Sequence, residues 1–327
     1  MRKLQRPPVS CPTLGAAGRG GKLAAKQILE EPQHAGAGLS FPAHWNEPDV
    51  RGALYAMHGR VCAYCQSNLP QNDAGDVEHF RPKSSYWWLA YSFTNYFLSC
   101  GTCNRVRKRE KFPLPPGIAP FPFADRNRLH EEKFLLLDPE HDTVEDWVRV
   151  DFEDPLCQVL PAGGIPGDSE PAQRIRDTIR FFKLNEYVLL IRQRFDAINE
   201  VLESLKQARN GDAAHERKVR QMASRFRPHG MAVRQMVAEL APEWLPSPEE
   251  ELLWLIQDFV QDLDFAAKAL AKSPGSKAVQ KTAEEVFWAL AVLWKHPPAA
   301  SPAQVEAWLA AEGWKDPVLE YYQRLVD

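Results

Sequence analysis

Cys62-Ala63-Tyr64-Cys65, then Asp76-Val77-Glu78-His79-Phe80-Arg81-Pro82-Lys83, then Cys100-Gly101-Thr102-Cys103-Asn104: these three stretches decide how the chain is read. The two Cys-x-x-Cys pairs, Cys62/Cys65 and Cys100/Cys103, supply four thiolates at a spacing that closes a tetrahedral zinc site. Thirty-four residues separate Cys65 from Cys100, more than a simple zinc ribbon holds, so an element is inserted between the two knuckles. Four cysteines leave no open coordination position, and the zinc is therefore expected to be structural. Such binding is itself folding free energy, about 10 kcal/mol in small domains.

The inserted element carries the reactive residue types. Cleaving a phosphodiester requires a water made nucleophilic, a cation at the phosphate and stabilisation of the leaving oxygen. His79 is the side chain suited to take the water's proton near neutral pH. Glu78 and Asn104 offer oxygen ligands, which favour Mg²⁺ or Mn²⁺ over zinc at this second site. Asp76 lies two residues before Glu78 on the same side of a strand and is a further ligand or an orienter. Neighbours on a strand point to opposite faces, so Glu78 and His79 serve one centre only if the strand twists or ends there. Asn95 is expected to accept from one imidazole nitrogen and so select the tautomer of His79. Arg81 and Lys83, with Arg105, Arg107, Lys108, Arg109 and Lys111 from the basic run after the last knuckle, are expected to meet phosphates. A deaminase is excluded, because that chemistry uses His-x-Glu with Pro-Cys-x-x-Cys, whereas here Glu78 precedes His79.

Composition sets the frame. With 327 residues, 25% charged and 44% hydrophobic, the chain suits a globular protein of about two domains. A formal charge of −3 gives no global attraction to nucleic acid, so any such contact falls to a local patch. No stretch approaches the roughly 20 apolar residues of a membrane span, and the start lacks a signal-type core, so a cytoplasmic location is expected. Cys11 and Cys157 stand outside the paired motif and are read as reduced thiols.

Three regions are expected. Residues 1–44, with Gly15, Gly18, Gly20, Gly21, Gly36 and Gly38, read as a flexible or partner-ordered arm. Residues 45–165 read as the zinc-bearing domain, opening with a helix at Asn46-Glu47-Pro48 and including a turn-rich stretch at 66–75. In it, the strand with the acid and histidine is expected to be the second of a ribbon, the apolar run 86–98 to pack beneath, and 104–111 to be helical. Strand-like runs follow at 134–138, 147–152 and 156–160. Residues 166–327 read as five or more helices, with starts at Ser169, Ser247 and Ser301.

The order Cys-x-x-Cys, Glu78-His79, Asn95, Cys-x-x-Cys-Asn104 resembles the HNH, or His-Me finger, endonucleases in their four-cysteine form, over residues 60–112. The resemblance implies an α+β fold: a ββα-metal core with a structural four-cysteine zinc site, followed by a mainly α-helical C-terminal region. It makes Glu78 the acidic metal ligand, His79 the general base, Asn95 the orienting asparagine and Asn104 the final metal-side residue. Cys62-Ala-Tyr-Cys65, Val77-Glu-His-Phe-Arg-Pro-Lys83, Trp88-Leu-Ala-Tyr91, Cys103-Asn104 and Phe112-Pro-Leu114 are further similar to PtuB-like proteins, the HNH subunits of Septu-type anti-phage systems, also found beside some retrons. That likeness implies an ABC-type ATPase partner, PtuA-like, docked by the helical tail or the arm; DNA is the substrate expected ahead of RNA, which stays open because retron-linked relatives are thought to attack tRNA. The competing expectations are a non-catalytic zinc-stapled adaptor that binds ATPase or nucleic acid, and a stand-alone restriction-like nuclease.

Overall fold

A computed structural model describes residues 1–34, 39–69 and 74–326. Gly36, Gly38 and the centre of the turn-rich stretch, 70–73, lie outside the described residues. In chain order the elements are α1 (Arg19–His34), α2 (Pro48–His58), β1 (Asp76–His79), β2 (Tyr96–Ser99), α3 (Val144–Trp147), β3 (Val148–Val150), β4 (Val159–Pro161), α4 (Glu170–Phe182), α5 (Val188–Arg209), α6 (Ala213–Met222), α7 (Gly230–Leu240), α8 (Pro248–Lys272), α9 (Lys277–Lys295), α10 (Pro302–Ala311) and α11 (Lys315–Val326). The fold is mixed and mainly helical, and its strands form two two-stranded sheets, β1 with β2 and β3 with β4.

The chain divides into two compact units that cut across the three regions expected from sequence. The first, here the thiolate unit, holds Met1–Leu4, Arg60–Glu78 and Leu98–Ser247; the second, the helical unit, holds Gln5–Gly59, His79–Phe97 and Pro248–Asp327. Residues remote in sequence share a unit because helices near the start and end of the chain pack together.

In the helical unit α2 lies on α9, and their closest approach is at Gly52. A Cβ there would stand 2.4 Å from the Glu285 carbonyl oxygen and 2.8 Å from the Trp288 Cβ, so only glycine fits. Beside it, Arg51 Nε meets Glu285 Oε1 at 2.9 Å and Arg51 donates to the Tyr55 hydroxyl at 2.7 Å, all buried. The described residues of the expected loose arm pack instead of standing free. α1 forms, Cys11 is buried, and Asp49 accepts from the Thr13 amide and hydroxyl at 2.8 Å each. Its glycines admit close backbone: a Cβ on Gly21 would meet the Gly15 carbonyl oxygen at 2.0 Å.

In the thiolate unit the ribbon of β3 and β4 pairs Arg149 with Leu160, antiparallel. Both its edges are capped by amides. Asn185 bonds both polar backbone atoms of Val159 at 2.8 Å, and Gln235 does the same for the Val150 amide and the Val148 carbonyl. The run 134–138 is not a strand. Leu136 and Leu137 are buried there, and their backbone is satisfied by Arg174 and Thr178 of α4 instead of a sheet partner. The expected helix starts hold: Ser169 caps α4, α8 begins at Pro248, and Ser301 with Gln304 forms a capping box on α10. No described helix is long and apolar enough to cross a membrane.

Candidate metal centre

The four knuckle cysteines converge. The ligand atoms of Cys62, Cys65, Cys100 and Cys103 all lie within 4.8 Å of one another, and Cys65 Sγ stands 3.7 Å from Cys100 Sγ. A tetrahedron of Zn–S bonds of about 2.3 Å requires sulfur atoms about 3.8 Å apart, so the spacing fits zinc. The knuckles are shaped by local bonds. Gln66 turns through φ 62° with its amide on the Cys62 carbonyl, and the Cys103 amide donates to Cys100 Sγ at 3.4 Å. Burial pushes the Cys62 thiol up, while hydrogen bonds from the other thiols draw Cys65 down. Cys11 and Cys157 are free thiols outside it, as expected.

β1 grows out of this centre, and β2, not a strand near the first knuckle, is its partner. The acid-histidine strand therefore comes first in its ribbon, and the end of the apolar run 86–98 supplies the second strand, Tyr96–Ser99.

Within the thiolate unit Glu78 is 2% exposed and its Oε1 lies 2.5 Å from Lys108 Nζ, itself 0% exposed. Burial pushes this carboxyl up against the downward pull of Lys108 and of the neighbouring Tyr64. Lys108 therefore leaves the set of expected phosphate contacts, since a fully buried ammonium held by a carboxylate meets no phosphate. The cause lies in helix pitch. Thr102–Lys108 is a π-helix, and Arg109 N bonds Asn104 O five residues back at 2.6 Å. Five residues then separate side chains on one face, so Lys108 follows Cys103 into the interior. Asn104 is brought to Asp76, its Nδ2 donating to Oδ2 at 3.2 Å, and Arg105 Nε meets the same oxygen at 3.0 Å. Arg109 and Lys111 are exposed and Arg107 half-buried.

Within the helical unit His79 is 8% exposed and its Nε2 lies 3.0 Å from the Ala90 carbonyl oxygen. A carbonyl only accepts, so Nε2 carries the proton and Nδ1 is left with the lone pair. The rings of Trp45 and Tyr96 stand edge-on to the imidazole at 4.7 and 4.9 Å, and the Tyr96 hydroxyl donates to the same Ala90 carbonyl. The expected role of Asn95 is corrected. Its Oδ1 accepts from the Arg81 amide at 2.8 Å and its Nδ2 donates to the Arg81 carbonyl at 2.9 Å, so it pins the backbone just beyond the histidine, and a main-chain carbonyl orients the ring. Sequence reasoning missed Ala90 because a backbone acceptor has no side-chain signature. It also passed over Tyr64, which lies inside the first knuckle. Arg81 lies over the Tyr86 ring at 5.9 Å and Lys83 over Trp45 at 5.4 Å.

This geometry defines a mixed, mainly helical protein with a four-cysteine cluster able to hold a metal. Over 129 residues the chain is 31% identical to a protein named Septu protein PtuB from Bacillus mycoides (strain KBAB4), and over 93 residues it is 36% identical to a Septu protein PtuB from Bacillus thuringiensis. The matches take in 35% and 28% of this chain and 41% and 36% of those relatives, so the chain spans less than half the length of the curated relatives it matches. No protein-family model matches the chain, and no solved structure matches it significantly.

Proposed function

We propose that the chain is a metal-dependent HNH endonuclease, stapled by zinc, that acts on nucleic acid in a Septu-type anti-phage system together with a PtuA-like ABC-type ATPase. The observation that carries the reading is the presentation of His79: its Nε2 is tied to the Ala90 main-chain carbonyl, and the rings of Trp45 and Tyr96 fix the imidazole edge-on. A buried histidine with a purely structural part is served by any bond. A general base is served by this one, which fixes the tautomer and directs Nδ1 as the proton acceptor. The partial likeness to proteins named Septu protein PtuB supports the defence setting.

In the proposed reaction His79 Nδ1 takes the proton of the attacking water. A bound Mg²⁺ or Mn²⁺ would supply charge stabilisation at the phosphate, with Asp76 and Asn104, whose side chains touch through the amide nitrogen, as the residues that would hold it. Arg81, Lys83, Arg109 and Lys111 hold the phosphate backbone. DNA is the preferred substrate, and RNA is the alternative, because nothing in the motif reads a 2′-hydroxyl. Cleavage of plasmid and of tRNA with Mg²⁺, by the complex carrying the natural chain or His79→Ala, is the direct test. Loss of cutting by at least about 100-fold in the variant is expected for a general base; equal cutting by both removes His79 from catalysis.

A second reading draws on two observations: Glu78 is held by Lys108 and Asn95 by the Arg81 backbone, as in a purely structural element. A zinc-stapled adaptor would bind one zinc per chain and ignore added Mn²⁺, whereas the nuclease takes a second ion.

A further inference from the structure

We infer that the helical unit carries a binding site for a small organic anion, a phosphate or carboxylate borne on an apolar or aromatic body, beneath the strap of chain that crosses the end of α9. This site owes nothing to the metal-dependent reading above and stands or falls apart from it.

The strap runs from Arg6 to Thr13, carries prolines at 7, 8 and 12, and is pinned at both ends. The Arg6 guanidinium donates to the Phe93 carbonyl at 2.7 Å and the Tyr96 carbonyl at 3.2 Å, while Thr13 gives its amide and hydroxyl to Asp49. Prolines lock φ, so the span between the pins stays stiff instead of settling onto the helix below. A cavity of about 530 Å³ is left between the strap, α9 and α11, and one of about 260 Å³ adjoins it through Pro8, Val292 and His296. Packed interiors leave few voids larger than a water, whereas ligand clefts hold about 300–1,000 Å³. The walls of the larger cavity are mostly apolar, and its polar side chains, Ser10, Trp288, Lys295, His296 and Tyr322, can all donate. Among the described residues no carboxylate lines either cavity, although the chain holds 43 acids against 40 lysines and arginines. Trp288 indicates what is wanted there. It is 2% exposed, it stacks on Tyr322 at 5.5 Å, and its indole N–H is buried without an acceptor among the described residues. A buried donor left unmet is costly, and an acceptor brought by a ligand relieves it. Lys295 lies over the same Tyr322 ring at 5.6 Å, so an ammonium stands beside the aromatic pair. An oxyanion answers both groups, and the apolar walls take its body.

The test is isothermal titration calorimetry of the zinc-loaded full chain with adenosine 5′-monophosphate, with benzoate, and with adenosine as the neutral control. One-to-one binding of either anion is expected, and which of the two binds tells phosphate from carboxylate, while adenosine should bind at least about tenfold more weakly than that anion. Trp288→Phe keeps a ring against Tyr322 and deletes the N–H; Lys295→Gln, at an exposed side chain, deletes the charge without touching the core. Each is expected to weaken the anion about tenfold with the thermal midpoint unchanged. Should Trp288→Phe lower the midpoint, Lys295→Gln alone decides. A chain that takes neither anion, or variants that bind as tightly as the natural chain, overturns the inference, and so does adenosine binding as well as its monophosphate.

Discussion

Each of the two units buries an ion pair, and the two pairs sit in different company. Arg51 and Glu285 join α2 to α9 in a helix crossing made close by Gly52. Glu78 and Lys108 join a strand to a π-helix whose start is held by thiolates. In the helical unit, burial disfavours the Arg51 guanidinium, yet Tyr55 and Glu285 hold its pKa above the usual value; the cost falls on Glu285, which burial pushes up. In the thiolate unit the pair depends on a local structure that no packing of long helices supplies. One unit is held by apolar surface with a charged pair set into it, the other is knotted by four clustered cysteines that could hold a metal, with charge arranged around them.

Removing the metal should separate them most. Chelation, or Cys100→Ser, is expected to withdraw about 10 kcal/mol from the thiolate unit. Limited proteolysis followed by mass spectrometry should then show new cuts within 60–78 and 98–247 while 248–326 stays protected. Cuts appearing evenly over both units would erase the contrast.

Next in size is Arg51→Met, which leaves Glu285 buried without its cation and is expected to cost about 3–5 kcal/mol. Adding Glu285→Leu should recover most of that loss, a result read from paired urea melts. No recovery would mean that the crossing needs the charges themselves.

His229 gives the thiolate unit a pH signature. It is 4% exposed, its amide rests on the Gln66 carbonyl, and burial pushes its imidazole down to about 4. The unfolded chain regains an ordinary value of about 6.5, so between those limits it binds a proton that the folded unit refuses. Stability present above about pH 6.5 is therefore lost as the pH falls towards 4, by roughly 2–3 kcal/mol. His229→Asn tolerates the φ of 54° and should flatten that slope relative to the natural chain. An unchanged slope would place the acid sensitivity wholly in the thiolates.

Gly52→Ala is the gentlest probe. Its methyl group meets the Glu285 carbonyl, and the helices must part by a fraction of an ångström at about 1–3 kcal/mol. The thermal midpoint should drop without loss of zinc, and loss of zinc would show that the crossing does more than pack its own unit.

Much of this architecture was legible where chemistry writes itself into residue type and spacing. The four cysteines converge as their pairing implies, and Ser169 and Ser301 cap helices because a hydroxyl before a proline-bearing first turn has few other uses. What was hidden depends on backbone geometry. Glycines at 18–21 signalled looseness but serve close approach, and the apolar run 134–138 looked like a strand until side chains of α4 took its backbone bonds. Asn95 was singled out correctly as a polar residue in an apolar run, yet its partner is a main chain fourteen residues back. Lys108 was misread for the plainest reason: at 3.6 residues per turn Arg107 shares the face of Cys103, and at the wider pitch Lys108 does.

That wider pitch has a consequence for descent. The stretch 102–108 carries one residue more than an ordinary helical turn would need, and its length sets which position meets the acid of β1. A relative that has lost one residue there would swing its lysine out to water and leave the acid stranded. Gap and replacement at position 78 are therefore expected to travel together through a lineage, so that an alignment column and a deletion well downstream of it behave as one inherited character.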